Sequence, residues 1–220
     1  MVSKSPVAPR YLRIFGLALL ASIALTGLAA GSASALSIEP ASTFQSTGSE
    51  VTWSTSAGNI YACKGGSSTT GQFTSGTSGQ MTLKMQGCGS SFTTCTSPGQ
   101  ASGTIVTSTL GVKPVYLDAA RTLHGLLLSP PASGVFAEFS CSGVPRVWTG
   151  SLLGRITSPA LGVKSTQHTL SFTESSAGQQ TYQRVEGALF PLYRLKQGEA
   201  TVAVTATQPL TFPIEVKFAP

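Results

Sequence analysis

The sequence predicts an all-β chain: an antiparallel β-sandwich or barrel-like domain of about ten or more short strands, preceded by a signal peptide. Three observations lead there. Apolar residues recur with a period of two, clusters of Gly, Pro, Ser and Asn separate the alternating runs, and no stretch beyond residue 35 carries a capped helical stripe. Alternation means half-buried strand, because successive side chains of a strand point to opposite faces.

The first 35 residues are read apart from the rest. Lys4, Arg10 and Arg13 precede an apolar run from Ile14 to about Ala30, and Ala33-Ser34-Ala35 supplies the small residues a signal peptidase needs. An uncleaved anchor is the rival reading, since the run is at the short end of what crosses a bilayer. The A-x-A site and the polar chain that follows favour cleavage. Ser32, not a cysteine, follows Leu28-Ala29-Ala30-Gly31, so no lipid anchor is expected. Residues 36–220 then form a single secreted β domain, with no membrane contact after cleavage.

Within that domain, Met81, Leu83 and Met85 alternate with polar neighbours. So do Val135, Ala137, Phe139 and Cys141; Ala200, Val202 and Val204; and Ile214, Val216 and Phe218. Residues 51–55, 59–63, 103–110, 112–117, 123–128, 145–157 and 167–174 are further strands, of which 145–157 is the longest. Gly150 and Gly154 lie on one face of it, where a missing Cβ lets another backbone or a bulky side chain approach. Turns are expected at Ala57-Gly58-Asn59, Gly65-Gly66-Ser67-Ser68, Ser97-Pro98-Gly99, Pro130-Pro131, Ser158-Pro159 and Ala177-Gly178.

Charge narrows the function. The chain has 14 Lys and Arg against 8 Asp and Glu; without Lys4, Arg10 and Arg13 the domain keeps 11 against 8, a net +3. Most of these cations are scattered singly, and only Arg184, Arg194 and Lys196 come near one another. That is not the basic stripe of a nucleic-acid binder.

All four cysteines, Cys63, Cys88, Cys95 and Cys141, lie in the domain, and an even count in an oxidising compartment predicts two disulfides. Three pairings are possible. The expected one joins Cys88 to Cys95 across a short strand connection and leaves Cys63 to Cys141. A zinc site is disfavoured, because no C-x-x-C pair exists and His124 and His168 are distant from the cysteines in sequence.

Catalytic groups are sparse. Asp118 is the only aspartate, His124 and His168 are the only histidines, and no G-x-S-x-G elbow or H-E-x-x-H occurs. A triad would have to use Asp118 with one of those histidines. Glu138 and Glu174 fall on expected strands and are the acids to weigh for a glycosidase pair. No metal or cofactor is implied. Tyr61 and Trp148 are the candidate binding aromatics: either could stack on a sugar ring, or, like Trp53, fill the core.

One resemblance covers most of residues 63–172. Cys63-Lys64, Gly87-Cys88, Cys95-Thr96-Ser97-Pro98-Gly99, Gly103-Thr104-Ile105-Val106-Thr107, Phe139-Ser140-Cys141 and Gly150-Ser151-Leu152-Leu153-Gly154-Arg155-Ile156-Thr157 resemble a series found in uncharacterised secreted β-rich proteins of soil actinobacteria. It implies export and a β fold, and brings no activity with it. After about Thr181 the chain departs from that pattern. Two functional expectations stand: a noncatalytic secreted or surface-associated domain binding cell-wall or environmental glycans, and, alternatively, an exported hydrolase with an acid pair or a cryptic Ser-His-Asp site.

Overall fold

The computed structural model describes residues 35–90, 92–186 and 191–220; apart from Ala35, the expected signal peptide lies outside them. The described chain is all-β, with every strand pairing antiparallel. In chain order the strands are β1 (Ser37–Glu39), β2 (Thr43–Gly48), β3 (Val51–Thr55), β4 (Ile60–Cys63), β5 (Ser67–Ser75), β6 (Ser78–Met85), β7 (Cys88–Ser90), β8 (Thr93–Thr96) and β9 (Ile105–Val106). They continue as β10 (Leu110–Tyr116), β11 (His124–Ser129), β12 (Val135–Cys141), β13 (Val144–Gly150), β14 (Leu152–Ser158), β15 (Ser165–Phe172), β16 (Leu195–Gln197) and β17 (Ala200–Ala219).

Between sandwich and barrel, the pairings decide for a barrel. β2, β5, β6, β10, β11, β14, β15 and β17 hydrogen-bond in that order, and β17 returns to β2 through Leu210↔Ser46 and Thr211↔Gln45. Closure removes the unpaired edges that invite aggregation. A second circuit, β3–β4–β7–β8–β12–β13–β16, closes on the N-terminal part of β17 through Leu195↔Val202 and Val202↔Thr55. The 20 residues of β17 therefore belong to both rings.

Eight strands enclose a lumen that side chains can fill. Phe44, Met81, Leu126, Leu128, Leu152, Leu170, Phe172 and Leu210 fill it here, all buried. The space left among them is about 20 Å³, against the roughly 300 Å³ or more of a small-ligand pocket, so the lumen is core and not a ligand chamber. β11 is buried on both faces. Its outer face joins Val115, Leu117 and Leu153 in a second apolar cluster, over which Tyr182, Val185 and Tyr193 pack as a strap.

Two expectations need correction. Residues 145–157 are two strands, not one: β13 belongs to the second ring and β14 to the barrel. The break falls at Gly150, whose φ is +86° and where a Cβ would stand 2.1 Å from the Arg194 carbonyl oxygen. Alternation continues through the break, so period alone could not reveal it. Gly154 does admit bulky side chains, because a Cβ there would meet the Phe172 ring at 2.6 Å and Leu170 at 2.7 Å.

The disulfide pairing is the second correction. The bridges are Cys63–Cys88 and Cys95–Cys141. Each joins residues directly opposite on neighbouring strands, β4 with β7 and β8 with β12. The N–H of Lys64 donates to Gly87 and that of Ser142 to Thr94, which makes both cysteine pairs the non-hydrogen-bonded kind, where side chains come closer. Extending the β7–β8 hairpin by one pair would set Cys88 against Cys95. Instead, the Cys88 N–H donates to the Gly103 carbonyl at 2.8 Å, and the hairpin stops short of them.

Candidate functional site

The expected stacking aromatics sit inside the second ring. Trp148 is 2% exposed and meets the rings of Trp53 and Phe139 edge-on, each at 5.0 Å, while its indole N–H donates to Gln197 Oε1 at 3.3 Å. Tyr61 is 8% exposed and stacks on Trp53 at 5.6 Å. Tyr61, Trp53 and Trp148 share one inward face because each occupies the buried phase of its strand. Trp148 is enclosed by aromatic rings, whereas Tyr61, with one face on Trp53, also reaches the lining of an open cleft.

The candidate catalytic groups are not brought together as a triad. Asp118 closes a turn: Thr122 Oγ1 donates to one carboxylate oxygen at 2.6 Å and the Leu123 N–H to the other at 2.8 Å. These bonds, that of Thr122 first, hold its carboxyl below the usual range. The two histidines, read separately in the sequence, meet inside one end of the barrel. His124 and His168 are 4% and 2% exposed and both contact the Phe218 ring, at 5.5 and 5.1 Å. His168 donates from Nε2 to the Val216 carbonyl at 3.1 Å; its Nδ1 and the Nε2 of His124 have no partner among the described residues.

Burial, with His168 and Arg155 nearby, pushes the His124 pKa down to about 4, and burial also lowers that of His168. Two neutral imidazoles in an apolar shell make a poor general base. Among the described residues no group of three or more His, Cys, Asp or Glu side chains is placed to hold a metal. Glu138 and Glu174 are exposed, and Glu174 accepts a hydrogen bond from Ser54 Oγ at 2.6 Å.

A concave surface exists elsewhere. β4, β7, β8 and the 102–103 loop wall an open cleft of about 710 Å³, lined by Ile60, Lys64, Ser90, Thr93, Thr94 and Ser102, with Tyr61 beneath. Opposite the inward Cys63, Cys88 and Cys95, the outward phase of these strands carries Ala62, Gly89 and Thr94, and the end of the β7–β8 hairpin adds the hydroxyls of Ser90 and Thr93. The Cys63–Cys88 bridge ties the floor strands β4 and β7 together from below. Ile60 is 69% exposed, and Phe92, at the turn of the β7–β8 hairpin, is 96% exposed. Sequence reasoning passed over both. The available signal was a lone Phe among Ser and Thr in a strand connection, where no core could take it.

A second cleft, of about 440 Å³, lies on the strap and is lined by Gln179, Thr181, Tyr182, Gln183, Arg184 and Arg194, among others. Among the described residues, neither cleft is lined by Asp, Glu or His. Fold and crosslinks define a disulfide-stapled, all-β barrel protein. Compared with protein-family models, curated proteins and solved structures, the chain matches none.

Proposed function

We propose that this chain is an exported, noncatalytic bacterial β domain that binds cell-wall or environmental glycans in the cleft walled by β4, β7 and β8. The carrying observation is the composition of that cleft: hydroxyls and one lysine on the walls, an exposed Ile60 on the surface, and no carboxylate or imidazole. Sugars bind to such surfaces by hydrogen bonds and by apolar contact with their C–H faces. Phe92 at the hairpin turn supplies an aromatic that the core does not use. Export is supported by the two disulfides, by the signal-like first 35 residues, and by a folded core that begins at Leu36, 2% exposed, directly after the A-x-A site. No helix among the described residues is long and apolar enough to cross a membrane.

The test is retention of the purified 36–220 chain on insoluble cell walls and a panel of neutral polysaccharides, with Phe92→Ala and Lys64→Ala beside it. Retention that Phe92→Ala weakens by roughly tenfold or more, at unchanged urea midpoint, is the expected result, by analogy with the ~1–3 kcal/mol of an aromatic stacking contact. Equal retention of both variants on every matrix would refute this site. Release of reducing sugar from any substrate would refute the noncatalytic reading.

A further inference from the structure

The strap that crosses the outer face of β10, β11 and β14 brings two arginines, Arg184 and Arg194, to one cleft. Its apolar side chains, Tyr182, Val185 and Tyr193, pack on the barrel. Main-chain bonds hold its course: Thr181 N–H to the Thr173 carbonyl at 2.9 Å, Tyr193 N–H to Gln183 at 2.8 Å, and Glu186 N–H to Tyr116 at 2.8 Å. Arg184 and Arg194 remain on the lining of the 440 Å³ cleft.

Neither arginine is neutralised within the chain. All eight carboxylate side chains lie among the described residues, and the ion pairs found there are Arg121–Glu186 at 3.6 Å and Lys217–Glu39 at 3.2 Å. Glu186, the acid on the strap itself, is thus engaged by Arg121. Gln183 accepts from Arg194 Nε and in turn donates to the Gln180 carbonyl at 2.8 Å, so the guanidinium is oriented by a side chain that is itself held. The Nη groups of Arg194 are left for another acceptor. Arg155 adds positive charge close by and donates to Tyr182 Oη at 3.4 Å.

Guanidinium groups suit a planar carboxylate, because their paired N–H groups match its two oxygens. Beside them, Thr181, Tyr182 and Gln179 offer neutral donors and acceptors of the kind that meet sugar hydroxyls. We infer that the cleft formed by Arg184 and Arg194 is a second binding site, for a carboxylate-bearing sugar, a uronate residue of an acidic polysaccharide. The sugar part rests on the glycan-binding reading above; the anionic part rests on the arginines alone.

Binding of galacturonate oligomers to the 36–220 chain, measured by calorimetry at low and moderate salt, tests this beside neutral xylo-oligomers and citrate. The expected result is uronate binding that weakens as salt rises and falls tenfold or more in Arg184→Gln/Arg194→Gln, while citrate binds more weakly than the oligomer. Arg184→Gln alone, at an exposed side chain that makes no hydrogen bond or ion pair among the described residues, should lose affinity several-fold with its urea midpoint unchanged. Failure of Phe92→Ala to affect neutral glycans would sink the first cleft and leave this one standing. No uronate binding by the native chain, equal affinity in the double variant, or citrate binding as tight as the oligomer would overturn it.

Discussion

Acidification should loosen this barrel, and the buried histidine pair is the reason. His124 has a folded pKa of about 4 against an ordinary 6.5, and that of His168 is shifted the same way. A depressed histidine pKa means that the folded state prefers the neutral ring. The stabilisation is therefore complete above about pH 6.5 and is lost as pH falls from there toward 4, where the unfolded chain binds a proton that the folded chain refuses. The fall from 6.5 to about 4, at about 1.36 kcal/mol for each pH unit, gives at most about 3 to 4 kcal/mol from His124. Burial against the apolar faces of Phe212 and Phe218 comes first; His168 and Arg155 lower the His124 pKa further, while the Val216 carbonyl bonded to His168 pulls that ring the other way. Asp118 acts in a lower window, since its lowered pKa keeps its contribution intact until pH falls below the ordinary carboxylate value of 3.8.

The assay is urea denaturation at pH 7.5, 6.5, 5.5 and 4.5, comparing the native chain with His124→Phe. Because His124 Nε2 has no partner, the substitution forfeits no hydrogen bond there, and the slope of stability with pH is the readout. The native midpoint should fall steadily below pH 6.5, and the variant should show a shallower fall. A native midpoint equal at pH 7.5 and 4.5, or the same slope in both proteins, would refute the reasoning.

Further outcomes can be stated briefly. Proteolysis of the unreduced protein should yield one linked peptide pair containing Cys63 and Cys88 and another containing Cys95 and Cys141; recovery of a Cys88–Cys95 link would contradict the register. Replacing Cys63 and Cys88 by Ala releases a loop of 25 residues, which the chain-entropy relation puts at about 3.5 kcal/mol in unfolding free energy. Trp148→Ala should cost about 3 to 5 kcal/mol of stability, since it empties the space between Trp53 and Phe139; a variant of native stability would show that the indole is not core. Gly154→Ala should cost about 1 to 3 kcal/mol by thrusting a methyl group at Phe172 and Leu170, read as a lowered thermal midpoint.

The sequence by itself determined the strand chemistry. A period of two sorted Trp53, Trp148, Leu126, Leu170 and Val202 onto buried faces, and that pattern is local, because one residue's phase follows from its neighbours. It also announced the crosslinks by count and the scarcity of catalytic groups by composition. Strands made of Ser and Thr, such as β5, β7 and β8, were illegible: their hydroxyl side chains suit turns as well as strands, and only their partners settle the matter. What closes into a barrel, which cysteine meets which, and that His124 and His168 share one chamber are questions of long-range register. Register is set by hydrogen bonds between strands far apart in sequence, as in Cys95↔Cys141 and His168↔Leu210, and by packing that admits only one alignment. The two clefts belong to the same class, since each gathers on one surface side chains that only the folded chain makes neighbours.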